Sequence, residues 1–240
     1  MSTTTLPEVP EGLKVWMDMG FGKKEELHPD LKPHIVRDRR IPHISHPLMI
    51  ELFYSPEMNA VINKRYEMKC AMLEDYIQKK NWVGAIACLI EKPFRIEYML
   101  KHISDIPLNE WWELLHAVWT SVENLWQYKS VLPILFRGRQ TTITEMMTDE
   151  DDRKTFDALP DTLDIYRGCQ WRNRRGWSWT TERKVAEFFA RRFLKNGSKG
   201  RIVTALVRKQ NVLFYTNCRQ EREVVINPIN TENKCSIYTT

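Results

Sequence analysis

The chain has 240 residues, 42% hydrophobic and 28% charged, a balance that excludes fibrous and disordered classes and allows a sizeable core. No apolar run approaches the ~18 residues that cross a bilayer, and the polar, proline-containing start lacks a basic-then-apolar signal pattern, so a cytoplasmic place without membrane partners is expected. The net charge of +5 is uneven: residues 161–240 hold 16 Lys/Arg against 7 Asp/Glu, a net of +9, which leaves −4 for residues 1–160.

In chain order, residues 1–55 read as an irregular segment, because prolines at 7, 10, 29, 33, 42 and 47 break any long helix. A helical region is expected over 56–159. Ser55-Pro56 reads as an N-cap followed by proline at the first helical position. Apolar residues from Met58 to Ile77 recur at helical spacing, and further helices are expected over 81–90 and 95–103. Pro107 to Tyr128 gives the clearest helix, with Trp111, Trp112, Leu115, Val118, Trp119 and Trp126 making it apolar nearly all round. A shorter helix is expected over 149–159, stopped by Pro160.

After Pro160 the period switches. Thr162–Tyr166, Arg201–Val207, Val212–Tyr215 and Val224–Ile229 read as short strands. Only 182–194 looks helical, with Val185, Phe188, Phe189 and Phe193 expected in the core. The 160–240 stretch therefore reads as a compact α+β segment behind a helical region packed with it.

Five scattered cysteines (Cys70, Cys88, Cys169, Cys218, Cys235) form no C-x-x-C pair, so neither a disulfide framework nor a zinc knuckle is suggested. His43-Ile44-Ser45-His46 has metal-pair spacing but reads as a surface loop, because no acidic or cysteine partner stands beside it. No metal is expected. Phosphate-loop and dinucleotide glycine motifs are missing from the sequence.

Three pieces carry chemistry: Tyr166-Arg167-Gly168; Ser178-Trp179-Thr180-Thr181 running into Val185-Ala186-Glu187-Phe188-Phe189-Ala190; and Glu221-Arg222-Glu223. Taken singly, each has a structural reading: a strand end, a helix N-cap at Thr180 or Thr181, and a charged edge strand. Together, in this order, they resemble the mono-ADP-ribosyltransferases of the arginine–serine–glutamate type, over roughly residues 160–230. Tryptophan and threonine stand in the middle element where that family often has threonine and serine.

The resemblance implies a split β-sheet catalytic core, NAD as substrate, and transfer of ADP-ribose to a macromolecule. It makes Glu223 the anion beside the developing sugar cation. Arg167 would grip the dinucleotide through its planar fork, and Gly168 would let the backbone approach the nicotinamide amide. Ser178 would brace Glu223, and Thr180 would share the face of its strand. Glu221, two residues before Glu223, would lie on the same side of an extended segment and orient the incoming nucleophile or take its proton. Two such carboxylates should raise one another's proton affinity. The basic loop over 195–199 is a weaker candidate for covering phosphates.

Glu-x-Glu in this family points to protein arginine as acceptor. The run Arg172, Arg174, Arg175 with Trp171 and Trp177 suits a nucleic-acid strand, so RNA or DNA base modification is the alternative. A non-catalytic nucleic-acid-binding module is a further reading. Phage effector, toxin with an antitoxin or other inhibitory partner, and anti-phage defence protein all fit an enzyme acting inside a bacterium or a phage-infected one.

Overall fold

The computed structural model describes residue 20, then 23–38, 41–136, 147, 149–170, 173–192, 194, 200–228 and the backbone of 238–239. The chain forms two compact units, Met1–Ile103 and Ser104–Thr240. The helical stretch read over 56–159 is thus divided between them. Among the described residues no helix is long and apolar enough to cross a membrane.

The first unit is not irregular where its prolines cluster. Strands β1 (Ile35–Val36), β2 (His43–His46) and β3 (Met49–Glu51) make an antiparallel sheet in the order β1-β2-β3. Proline excludes helix but leaves extended backbone open, and Ile44 and Met49 supply fully buried anchors. The His43–His46 stretch is therefore a strand and not a loop. Its His46 ring lies edge-on to His34 and Tyr66, with centroids 4.5 and 5.2 Å away. Burial, then the neighbouring His34, lowers the His46 imidazole from 6.5 to about 4.

Helix α1 (Asn59–Gln78) follows a 3-10 turn at Pro56–Met58, and Ser55 makes no side-chain cap bond there. The stretch expected over 81–90 is a π-helix, Val83–Leu89, and α2 spans Arg95–Lys101. Leu31, Ile44, Met49, Ile62 and Ile90 form the core of this unit.

The second unit opens with α3 (Leu108–Ser121). It is shorter than its apolar pattern, because Val122 turns extended (φ −88°, ψ 129°) and only a 3-10 turn, Leu125–Tyr128, follows. Next come α4 (Leu132–Phe136) and α5 (Glu150–Asp157). The Asp149 side chain caps α5, accepting from the Asp151 and Asp152 amides at 2.8 and 3.3 Å.

Strands β4 (Thr162–Cys169), β5 (Ser178–Thr180), β6 (Arg201–Arg208), β7 (Val212–Thr216), β8 (Glu223–Ile226) and β9 (Tyr238–Thr239) form one sheet in the order β7-β8-β5-β4-β6-β9. Every neighbouring pair in it is antiparallel. Strand β4 runs past Tyr166 to Cys169, which places Arg167 and Gly168 inside the strand and not at its end. The architecture is mixed helix and sheet, an α+β arrangement.

Helix α6 (Arg183–Arg191) reverses the expectation for its aromatic face. Ala186 and Ala190 are buried on the sheet, whereas Phe188 is 60% exposed and Val185 and Phe189 are half-buried. Phe193 lies outside the described residues. Two glycines explain the reversal. A Cβ on Gly168 would stand 1.9 Å from the Ala186 carbonyl oxygen, and one on Gly200 would stand 2.0 Å from that of Ala190. The helix therefore sits too close to the sheet for any side chain larger than a methyl group to fit between them.

Candidate active site

The three motif pieces fall on adjacent strands. Register pairs Tyr166 with Thr180, Thr180 with Glu223, and Glu223 with Thr216. Opposed residues share a face of the sheet, so these four form one row across β4, β5, β8 and β7. Ser178, opposite Val225 and two residues before Thr180, lies on the same face. Helix α3 covers the β7–β8 end of that face. Helix α6 covers the β4 end, with Ala186, Ala190, Ile202 and Tyr166 in contact. Ser178 and Tyr166 are half-buried between the two ends.

Glu223 is 3% exposed. A buried carboxylate requires donors, and two are present. Trp119 Nε1, from α3, donates to Oε1 at 3.0 Å, and Arg219 Nη2 donates to Oε2 at 3.3 Å. The same Arg219 nitrogen stands 3.2 Å from Glu221 Oε2. One guanidinium thus holds both carboxylates of the Glu-x-Glu motif.

The two carboxylates do not meet through strand alternation, as the sequence suggested. Glu221 precedes β8, in a turn whose flanking residues Gln220 and Arg222 have φ of 57° and 43°. Left-handed backbone in non-glycine residues costs about 1–3 kcal/mol each and concentrates where a site fixes an unusual geometry. Local bonds hold the turn. The Asn217 carbonyl accepts from the Gln220 amide at 2.8 Å, the Asn217 side-chain oxygen accepts from the Arg222 amide at 3.1 Å, and Arg222 Nε pairs with Glu182 at 3.1 Å. Burial, more than its neighbour Glu223, raises the Glu221 carboxyl above the usual carboxylate value, against the opposing pull of Arg219 and Arg192.

Thr180 ties the strand to this turn. Its hydroxyl donates to the Glu221 carbonyl at 2.7 Å and accepts from the Glu182 amide at 3.0 Å. It therefore serves the entry to α6 and the acidic turn together, with its hydrogen-bonding capacity engaged by protein groups. The Glu223 carboxylate, for its part, takes its bonds from Trp119 and Arg219; among the described residues none comes from Ser178.

Arg167 stands apart. Alternation along β4 turns its side chain to the face opposite Tyr166 and Glu223. Its Nε donates to the Asn173 carbonyl at 3.1 Å and its Nη1 to the Ser178 carbonyl. The rest of the guanidinium packs where a side chain at Gly176 would be, 2.1 Å from that Cβ position. Burial lowers its pKa from the free value, while Cys169 and Glu223 pull the other way. Arg167 clamps the main chain of β5 and the 173–176 segment; gripping a phosphate would require those carbonyls to be released. Likewise the space beside Gly168 is filled by α6 and not left open for a ligand.

Sequence reasoning missed Arg219, Trp119 and His116. His116 Nε2 lies 3.3 Å from Thr216 Oγ1, at the end of the Glu223 row. Burial lowers its imidazole pKa, against the fields of Asp152, Glu223 and Asp149. Asp152 is itself buried and accepts from the Asn217 amide at 3.0 and 3.1 Å. One signal was available for Trp119, since a buried indole N–H needs an acceptor. None was available for His116. Trp171, Arg172 and the loop over 195–199 lie outside the described residues. No group of three or more His, Cys, Asp or Glu side chains is placed to hold a metal ion among the described residues.

Comparison with models of known protein families, with curated proteins and with solved structures finds no match to this chain.

Proposed function

We propose that this protein is an NAD-dependent mono-ADP-ribosyltransferase with the split-sheet core of that family, acting inside a bacterium or a phage-infected bacterium. One observation carries the reading: Glu221 and Glu223 are held together on a single guanidinium, at a strained turn beside the Ser178–Thr180 strand. A carboxylate pair that binds one guanidinium is chemically suited to receive another, so protein arginine is the acceptor it favours.

In this reading NAD lies on the half-buried strip of Tyr166 and Ser178, between α3 and α6. The bond from the ribose C1′ to the nicotinamide nitrogen breaks, and its electron pair leaves with neutral nicotinamide. Glu223 offsets the positive charge left on the sugar. The acceptor nitrogen attacks C1′ and its proton passes to Glu221, whose raised pKa brings it nearer the range of an effective general base. Arg167 acts as a positioning residue, fixing the main chain that carries Ser178.

A second acceptor is favoured by a separate surface. Lys184, Glu187, Phe188, Arg191 and Arg192 line an open hollow of about 380 Å³ on α6. Cations around an exposed aromatic ring suit single-stranded nucleic acid, whose base amines could use the same Glu221.

The test is nicotinamide release and labelling of lysate with labelled NAD. Glu223→Gln should cut release by about 100-fold or more. Release from that variant at the parental rate would remove Glu223 from the mechanism. Digesting labelled lysate separately with protease and nuclease identifies the acceptor class.

A further inference from the structure

Arg219 occupies the place that the proposed reaction reserves for its acceptor. Its Nη2 is 3.2 Å from Glu221 Oε2 and 3.3 Å from Glu223 Oε2. The side chain is 40% exposed, whereas that of Glu223 is 4% exposed, so the guanidinium lies between solvent and the buried carboxylate. A purely structural partner for a buried anion needs only that anion. Arg219 also takes the second carboxylate, and the turn that presents it contains the two left-handed residues Gln220 and Arg222.

Two neighbouring arginines have other carboxylate partners. Arg222 Nε pairs with Glu182 at 3.1 Å, and Arg183 Nε pairs with Glu187 at 3.2 Å. Arg167 is held by main-chain carbonyls on the opposite face.

We propose that Arg219 is a self-modification site, taking ADP-ribose from NAD onto its own guanidinium when no other acceptor is present; this rests on the transferase reading above. The C1′–nicotinamide bond breaks and nicotinamide leaves with the electron pair. The Arg219 Nη2 proton passes to Glu221, and the neutral guanidine nitrogen bonds to C1′. The product is an alkylguanidinium, and its ADP-ribose fills the space in front of both carboxylates. Turnover is then self-limiting, and an external arginine competes with Arg219 for the carboxylate pair.

The experiment uses the full chain, purified, with labelled NAD and no other protein. Intact mass reports label per chain, peptide fragmentation locates it, and nicotinamide release is followed in parallel. The expected result is one ADP-ribose per chain, on Arg219, with release slowing as that label accumulates. Arg219→Lys, which keeps a cation but loses the planar fork, should lose the label at this position without gaining it elsewhere. Nicotinamide release with label on Arg222, on another residue or on none would overturn self-modification at Arg219 while leaving the transferase reading intact. No nicotinamide release from the parent protein would overturn both.

Discussion

Helices α3 and α6 both carry large apolar side chains, yet they use them in opposite ways. Helix α3 buries Trp111, Trp112, Leu114, Leu115, Val118 and Trp119. Helix α6 buries Ala186 and Ala190 and leaves Phe188 outside. The difference lies in what each helix meets. Side chains of β7 receive α3, with the Trp119 and Phe214 rings 5.5 Å apart and perpendicular. Bare backbone receives α6 at Gly168 and Gly200. Which face of a helix is buried is thus decided by its partner's side chains as much as by its own periodicity.

The largest expected effect comes from removing the bare backbone. Gly168→Ala puts a Cβ 1.9 Å from a main-chain oxygen of α6. Neither atom belongs to a flexible side-chain end, so the helix must lift from the sheet. Loss of this packing should cost about 3 kcal/mol or more, read as a drop in Tm or in the denaturant midpoint. A Gly168→Ala protein as stable as the parent would show that α6 does not rest on β4 through this glycine.

A smaller effect is expected on the α3 side. Trp119→Phe keeps an aromatic ring against Phe214 but removes the N–H that Glu223 accepts at 3.0 Å. Leaving part of a buried carboxylate without its donor should cost about 1–3 kcal/mol. A double-mutant cycle with Glu223→Leu, which removes the acceptor oxygens, separates that bond from the lost ring volume. A coupling energy indistinguishable from zero would mean that α3 covers the carboxylate without binding it.

The same contrast explains what could be read in the sequence. Strand positions after Pro160 and most helices followed from periodicity and residue type, whereas the expected meeting of Arg167, Ser178 and Glu223 rested on the resemblance, and Arg167 lies on the other face of the sheet. The Ser178–Thr180 strand does lie between the Arg167 strand and the Glu223 strand. What could not be read depended on long-range partners. Arg167 faces away because β4 continues through it, so that alternation and not motif position sets its side. The meeting of Glu221 with Glu223 is made by Arg219 and by a left-handed turn, neither of which has a periodic signature. The prolines of the first 48 residues hid a sheet because they report only where a helix cannot form. The exposed Phe188 was misread because a glycine on a distant strand determines which side of α6 is inside.

Phe188→Ala gives the smallest expected change and the cleanest contrast. If the ring were core, its removal would cost about 3–5 kcal/mol. At 60% exposure most of its area already faces water, and it gives up only an edge contact with Phe189 at 5.4 Å and the Arg192 guanidinium over its ring at 5.9 Å. The substitution also places the best helix-forming residue on an exposed helix face. Stability should therefore stay within about 0.5 kcal/mol of the parent, measured by chemical denaturation alongside Gly168→Ala. A loss of core size at Phe188 would mean that α6 is rotated about its axis, with its aromatic face turned inward and its alanines no longer seated on the two glycines.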